Sequence, residues 1–88
     1  MPLSIQGYHG VIIWSSGEPY AVVNGLRYLM MYDPPSSGVF ERAGVAAAAN
    51  HYAQLPNGSA VFVTAGFVQD HDVDGCGTPK KVLHVLRF

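Results

Sequence analysis

The chain reads as a mostly β domain of five strands and one helix in the order β-β-β-α-β-β, and three observations predict it. Asn24-Gly25 joins two apolar runs, Pro19 to Val23 and Leu26 to Met31, and is the strongest short-range hairpin signal a sequence carries. Ala46 to Ala49 sit in the one stretch with strong helix propensity. Gly7, Gly10 and Gly66 lie inside apolar strand-like runs, where glycine marks a bulge or a sharp bend.

The first strand spans Leu3 to Trp14, long and bent, and ends at the turn Ser15-Ser16-Gly17-Glu18-Pro19. If Asn24 and Gly25 are the two loop residues of a type I′ turn, Val23 faces Leu26, Val22 faces Arg27, Ala21 faces Tyr28 and Tyr20 faces Leu29. One side of this ribbon (Ala21, Val23, Leu26, Tyr28, Met30) then suits a core. The other carries Tyr20, Val22, Arg27, Leu29 and Met31 and is expected to face solvent or a partner. Asp33-Pro34-Pro35-Ser36-Ser37-Gly38 stops the ladder, because consecutive prolines cannot continue it.

A helix is predicted over Val39 to Gln54, closed by Pro56-Asn57-Gly58. Phe40, Ala43, Ala47 and His51 form one apolar stripe, with Val45, Ala48, Ala49 and Tyr52 beside it. Ser59 to Gln69 is the fourth strand, with Val61, Val63, Ala65 and Phe67 on one side and Phe62, Thr64 and Val68 on the other. Asp70 to Pro79 is a polar loop, and Lys81 to Phe88 is the closing strand. A helix between the third and fourth of five strands is the element order of the OB-fold, a small Greek-key barrel. The alternative is an open α+β sheet with the helix across one face.

Eighty-eight residues, 1–88, make a single small domain. Hydrophobic residues are 49% and charged residues only 12% of the chain, so part of its apolar surface is expected to be covered in a homo-oligomer, most simply a dimer. A formal net charge of −1 argues against affinity resting on bulk attraction to phosphates. The single Cys76 excludes an internal disulfide and suits a reducing compartment. No signal peptide and no bilayer-length apolar run are apparent, so a cytoplasmic protein without membrane partners is expected.

The segment from Asn57 to Phe88 resembles the β4–loop–β5 region of bacterial single-stranded DNA-binding proteins, and among them the dimeric primosomal replication N family. The matching elements are Gly58-Ser59, Val61-Phe62-Val63, Gly66-Phe67, His71, Gly75 and Lys81-Val82-Leu83-His84. This covers about a third of the chain. It implies an OB barrel and single-stranded nucleic acid as ligand. Where that family has basic residues in the last loop, this chain has Asp70, Asp72 and Asp74.

Single-stranded nucleic acid calls for rings on which bases stack and cations along the backbone path. Trp14, Tyr20 and Arg27 on the outer side of the second and third strands, with Lys80, Lys81 and Arg87 near the closing strand, are the candidates. The bland alternative has the rings in a core or a dimer interface and the cations as solubilising groups. It leads to the second expected function, an interaction module exposing Leu29 and Met31 to a protein partner, with no role for nucleic acid. Asp70, His71, Asp72, Asp74 and Cys76 alternate as some metal loops do, but they lack the downstream bidentate Glu of a calcium loop and match no zinc spacing. A solvated turn is the simpler reading, with no metal and no cofactor. Ser15, Ser16, His9, His51 and His84 form no nucleophile motif, so an enzyme is not expected, and His51 and His84 read as structural histidines.

Overall fold

A computed structural model describes residues 4–88; the expected strand start at Leu3 lies outside the described residues. The elements are β1 (Gln6–Ser15), β2 (Glu18–Val23), β3 (Leu26–Tyr32), α1 (Arg42–His51), β4 (Ala60–His71) and β5 (Lys80–Arg87). The strands form one closed sheet in the order β1-β2-β3-β5-β4. Every neighbouring pair is antiparallel except β3–β5, which is parallel. The open-sheet alternative is therefore set aside. β1 bridges the closure by pairing with β4 through its first half and with β2 through its second, Val11 touching both.

The hairpin follows its local chemistry. Asn24 and Gly25 both take positive φ, 52° and 79°, and the register is Tyr20↔Leu29, Ala21↔Tyr28, Val22↔Arg27, Val23↔Leu26. Ile12, Ala21, Met30, Val61, Val63, Leu83 and Val85, from all five strands, converge in the barrel interior with Ala48 and Tyr52 of the helical segment. Side chains of the opposite parity, Leu29, Met31 and Val82, meet Val45 of α1 and Val73 of the β4–β5 loop in a second cluster outside the barrel.

Three sequence expectations need correction. The helix is shorter, Arg42–His51, because the chain is still extended at Glu41, its N-cap (φ −136°, ψ 129°). Its buried residues are Gly44, Val45 and Ala48, with Tyr52 just beyond its end, whereas Ala43 and His51 are exposed. α1 lies so close to β3 that a Cβ on Gly44 would sit 2.5 Å from Met31 Cγ and 2.6 Å from the Tyr32 carbonyl oxygen. In β4, a register shift between Ala65 and Gly66 reverses the side to which later residues point. Val68 therefore joins Val61 and Val63 against the interior cluster, while Phe67 leaves them and stacks on His84, ring centroids 4.6 Å apart. Gly66 permits this, since a Cβ there would lie 2.7 Å from the His84 carbonyl oxygen. Finally, Leu29 and Met31 are not offered to a partner: they are 0% and 1% exposed beneath α1, Phe40 and Val73.

Candidate functional site

Of the six residues expected to touch nucleic acid, three come together. The Arg27 guanidinium lies 4.9 Å from the centre of the Tyr20 ring, a cation–π contact across the β2–β3 ladder. Lys80, at the start of β5, bonds to Asp74 at 3.3 Å and to Tyr20; both partners favour the charged amine and raise its pKa, Asp74 most strongly. The other three are elsewhere. Trp14 packs against the interior cluster, and its Nε1–H donates to the Leu55 carbonyl at 2.8 Å. Lys81 pairs with Asp70 at 3.7 Å on the β4–β5 hairpin, and Arg87 sits exposed near the end of β5 opposite Ala65.

The β4–β5 loop, residues 72–79, borders this surface. Val73 is nearly buried against Leu29, Met31 and Val82, and Arg42 Nη2 donates to its carbonyl at 3.0 Å. Arg42 also pairs with Glu18, the first residue of β2, and with Asp74, so one guanidinium ties the start of β2, α1 and the loop together. Asp72 Oδ2 accepts the Gly77 N–H at 3.0 Å, which is the turn role expected of an aspartate here. Among the described residues no group of three or more His, Cys, Asp or Glu side chains is placed to hold a metal ion.

Sequence reasoning missed a buried carboxylate held by several hydrogen bonds. Asp33, 4% exposed at the end of β3, accepts the Ser37 N–H and Oγ–H on Oδ1, and the Gly38 N–H and His84 Nδ1–H on Oδ2. His84, 0% exposed, presents its other nitrogen to His71, with Nε2 to Nε2 at 2.8 Å. Burial alone would push the Asp33 carboxyl up, but the hydrogen bonds from His84, Gly38 and Ser37 outweigh it and hold the group below 3.8. Burial pushes His84 the other way, below 6.5, with Asp33 opposing and His71 reinforcing the shift. A carboxylate–imidazole–imidazole chain can hold and relay a proton. The hydroxyl within its reach, on Ser37, donates to the carboxylate instead of to an imidazole, so the arrangement lacks the nucleophile–base contact of acyl-transfer sites. No spacing advertises the chain, since Asp33 and His84 are 51 positions apart and meet only because β3 and β5 run parallel.

Two further surfaces complete the picture. A groove of about 360 Å³ opens between the start of β1 and the tip of the β2–β3 hairpin, lined by Gln6, Tyr8, His9, Asn24 and Tyr28 among others. On the outer side of β1 and β4, the paired residues His9 and Phe62 stack at 4.4 Å, Phe62 is 64% exposed, and Val11 beside them is 37% exposed. No helix of the described residues is long and apolar enough to cross a membrane. A small closed β-barrel with one helix packed against β3 is thus the class these observations define. Compared with family models, with curated proteins and with solved structures, the chain matches none.

Proposed function

We propose that this chain is an OB-fold module that binds single-stranded nucleic acid, without catalysis, on the open part of the β2–β3 outer face. The observation that carries the reading is the Tyr20–Arg27–Lys80 cluster on that face, framed by the β1–β2 turn and the β4–β5 loop. OB barrels take oligonucleotides at these strands and between these two loops. The closed order β1-β2-β3-β5-β4, with α1 between β3 and β4, supports the OB assignment, as does the likeness of Asn57 to Phe88 to single-stranded DNA-binding proteins. A base stacks on the Arg27–Tyr20 pair, the guanidinium plane serving as a platform as an aromatic ring does. Arg27 and Lys80 meet phosphates, while Trp14, Lys81 and Arg87 fall outside the contact.

With two cations engaged, the logarithm of affinity should fall with the logarithm of salt at a slope of about −1.4. Fluorescence anisotropy with a short labelled oligo-dT tests this, alongside mixed-sequence RNA. Absence of binding at low salt to both, or a slope several times steeper, contradicts the reading.

A second surface supports the expected homodimer, at a different place from the one first assigned to a partner. Phe62 and Val11 leave an exposed apolar strip on the outer side of β1 and β4, with His9 stacked on Phe62. Self-association there should be abolished by Phe62→Asp in sedimentation velocity. A wild-type monomer at high concentration rules it out.

A further inference from the structure

The hydrogen-bond chain that ends at His71 has room for one proton at a point where two are available. Asp33 already accepts three other hydrogen bonds and its carboxyl is held ionised, so His84 Nδ1–H must be the donor to Oδ2. His84 Nε2 is then a lone pair, and His71 Nε2–H must donate across the 2.8 Å gap. A proton added to the far nitrogen of His71 leaves this bond intact. While His71 is neutral it can exchange its tautomer and accept a hydrogen from a protonated His84, but protons on both rings put two hydrogens between the same nitrogens and two cations side by side.

One of the rings must then move. His84 is fully enclosed, stacked on Phe67 and bonded to Asp33, whereas His71 is partly exposed at the last position of β4. His71 pairs with Lys80 across the mouth of the β4–β5 loop, and Val73, two residues on, seals Leu29, Met31 and Val82.

We propose that Asp33, His84 and His71 form a proton-binding clasp: protonation of His84 beside a protonated His71 expels His71 and lifts the 72–79 loop, Val73 included, off the outer face of β3 and β5. The groups facing the clasp leave this step to the two imidazoles. His84 is flanked by Asp33, His71, Phe67 and its strand partner Met31. Around His71 lie the Phe40 ring at 6.0 Å, its strand partner Lys80, and its chain neighbours Asp70 and Asp72. Lys80 is bonded to Asp74 and Asp70 to Lys81, and the loop's remaining ties run through Arg42, independent of either ring.

The direction follows from burial. The closed clasp keeps His84 uncharged and lowers its proton affinity below the ordinary 6.5, while the open clasp lets it return toward that value. Closure is at full strength above 6.5 and weakens as pH falls below it, toward the lowered value of the closed state. The consequence for ligand rests on the nucleic-acid reading above: an open loop extends the Tyr20–Arg27 surface with the apolar side chains that Val73 covers, while Met31 stays under α1.

Methyl NMR on the intact chain tests the clasp without any ligand. From about pH 7.5 to 5, contacts between Val73 and Leu29 should be lost, the open-to-closed ratio rising by up to about tenfold per pH unit below the ordinary histidine value. Nitrogen-15 spectra should show His84 protonated at Nδ1 at neutral pH. His71→Gln should hold the loop closed throughout, because an amide can donate to neutral His84 or, turned over, accept from its cation. Val73–Leu29 contacts that persist to pH 5, equal loosening in His71→Gln, or His84 protonated at Nε2 overturns the proposal. Oligo-dT affinity measured on the same samples reports separately on the ligand reading, which can fail while the clasp stands.

Discussion

Along the outer face of β2 and β3, the half that carries Leu29 and Met31 is sealed, while the half that carries Val22 and Arg27 stays open, with Tyr20 half-buried at the border. Both halves present similar side chains, apolar with an aromatic or a long flexible residue among them. What separates them is remote in sequence: Phe40, Val45 and Val73 cover the first, and nothing in the described residues lies over Arg27. The cover is held from beneath by a buried chain, Asp33–His84–His71, and from above by half-exposed ion pairs of Arg42 and Lys80 with Glu18 and Asp74. These two kinds of tie differ in worth. A buried polar network is costly to break because its survivors are stranded, whereas an exposed pair contributes at most about 1 kcal/mol.

The contrast breaks most severely at Asp33. Asp33→Ala strands the Ser37 and Gly38 amides and the His84 Nδ1–H, and should cost about 3–5 kcal/mol in urea denaturation. A loss below about 1 kcal/mol would mean that the chain holds nothing. Next comes pH. Because His84 is kept neutral in the folded state, stability should be flat above 6.5 and decline below it by up to about 1.4 kcal/mol per pH unit. Asp33, whose folded carboxyl is the stronger acid, adds stability that is complete above 3.8 and lost as pH falls through its lowered value. Denaturation midpoints across pH check both windows, and a midpoint that rises on acidification contradicts them.

Smaller effects sharpen the other side of the comparison. Arg42→Ala removes exposed ion pairs, one bond to the Val73 carbonyl and a cation–π contact with Phe40 at 5.3 Å, each weak at the surface, so its cost should stay near about 1 kcal/mol by the same denaturation assay. Arg27→Ala should be nearly silent in stability, within about 0.5 kcal/mol. Its oligo-dT affinity should nonetheless fall roughly tenfold, the order of one stacked base.

How far the sequence foretold this depends on the range of each interaction. Asn24-Gly25 sets the hairpin register locally, and all four pairs follow from it. The helix face is harder to read because four consecutive alanines make neighbouring stripes nearly equivalent. Only the close seating of Gly44 on Met31 chooses Val45 and Ala48 over Ala43. Phe67 sits on the side opposite to its alternation because one irregularity at Ala65–Gly66 reverses the parity beyond it. The sealing of Leu29 and Met31 needs Val73, more than 40 positions away, and the proton chain needs the parallel β3–β5 pairing, which periodicity cannot encode. The candidate surface was legible only in part. Tyr20 and Arg27 follow from the hairpin register, whereas the inward turn of Trp14 onto Leu55 is a tertiary fact.

The most direct measurement is amide chemical-shift mapping of the labelled protein titrated with oligo-dT at low salt. The open half should respond, with the largest shifts at Tyr20, Arg27 and Lys80 and little change at Trp14 or around Phe62. Shifts confined to the outer side of β1 and β4, or an unchanged spectrum at saturating oligonucleotide, would contradict it.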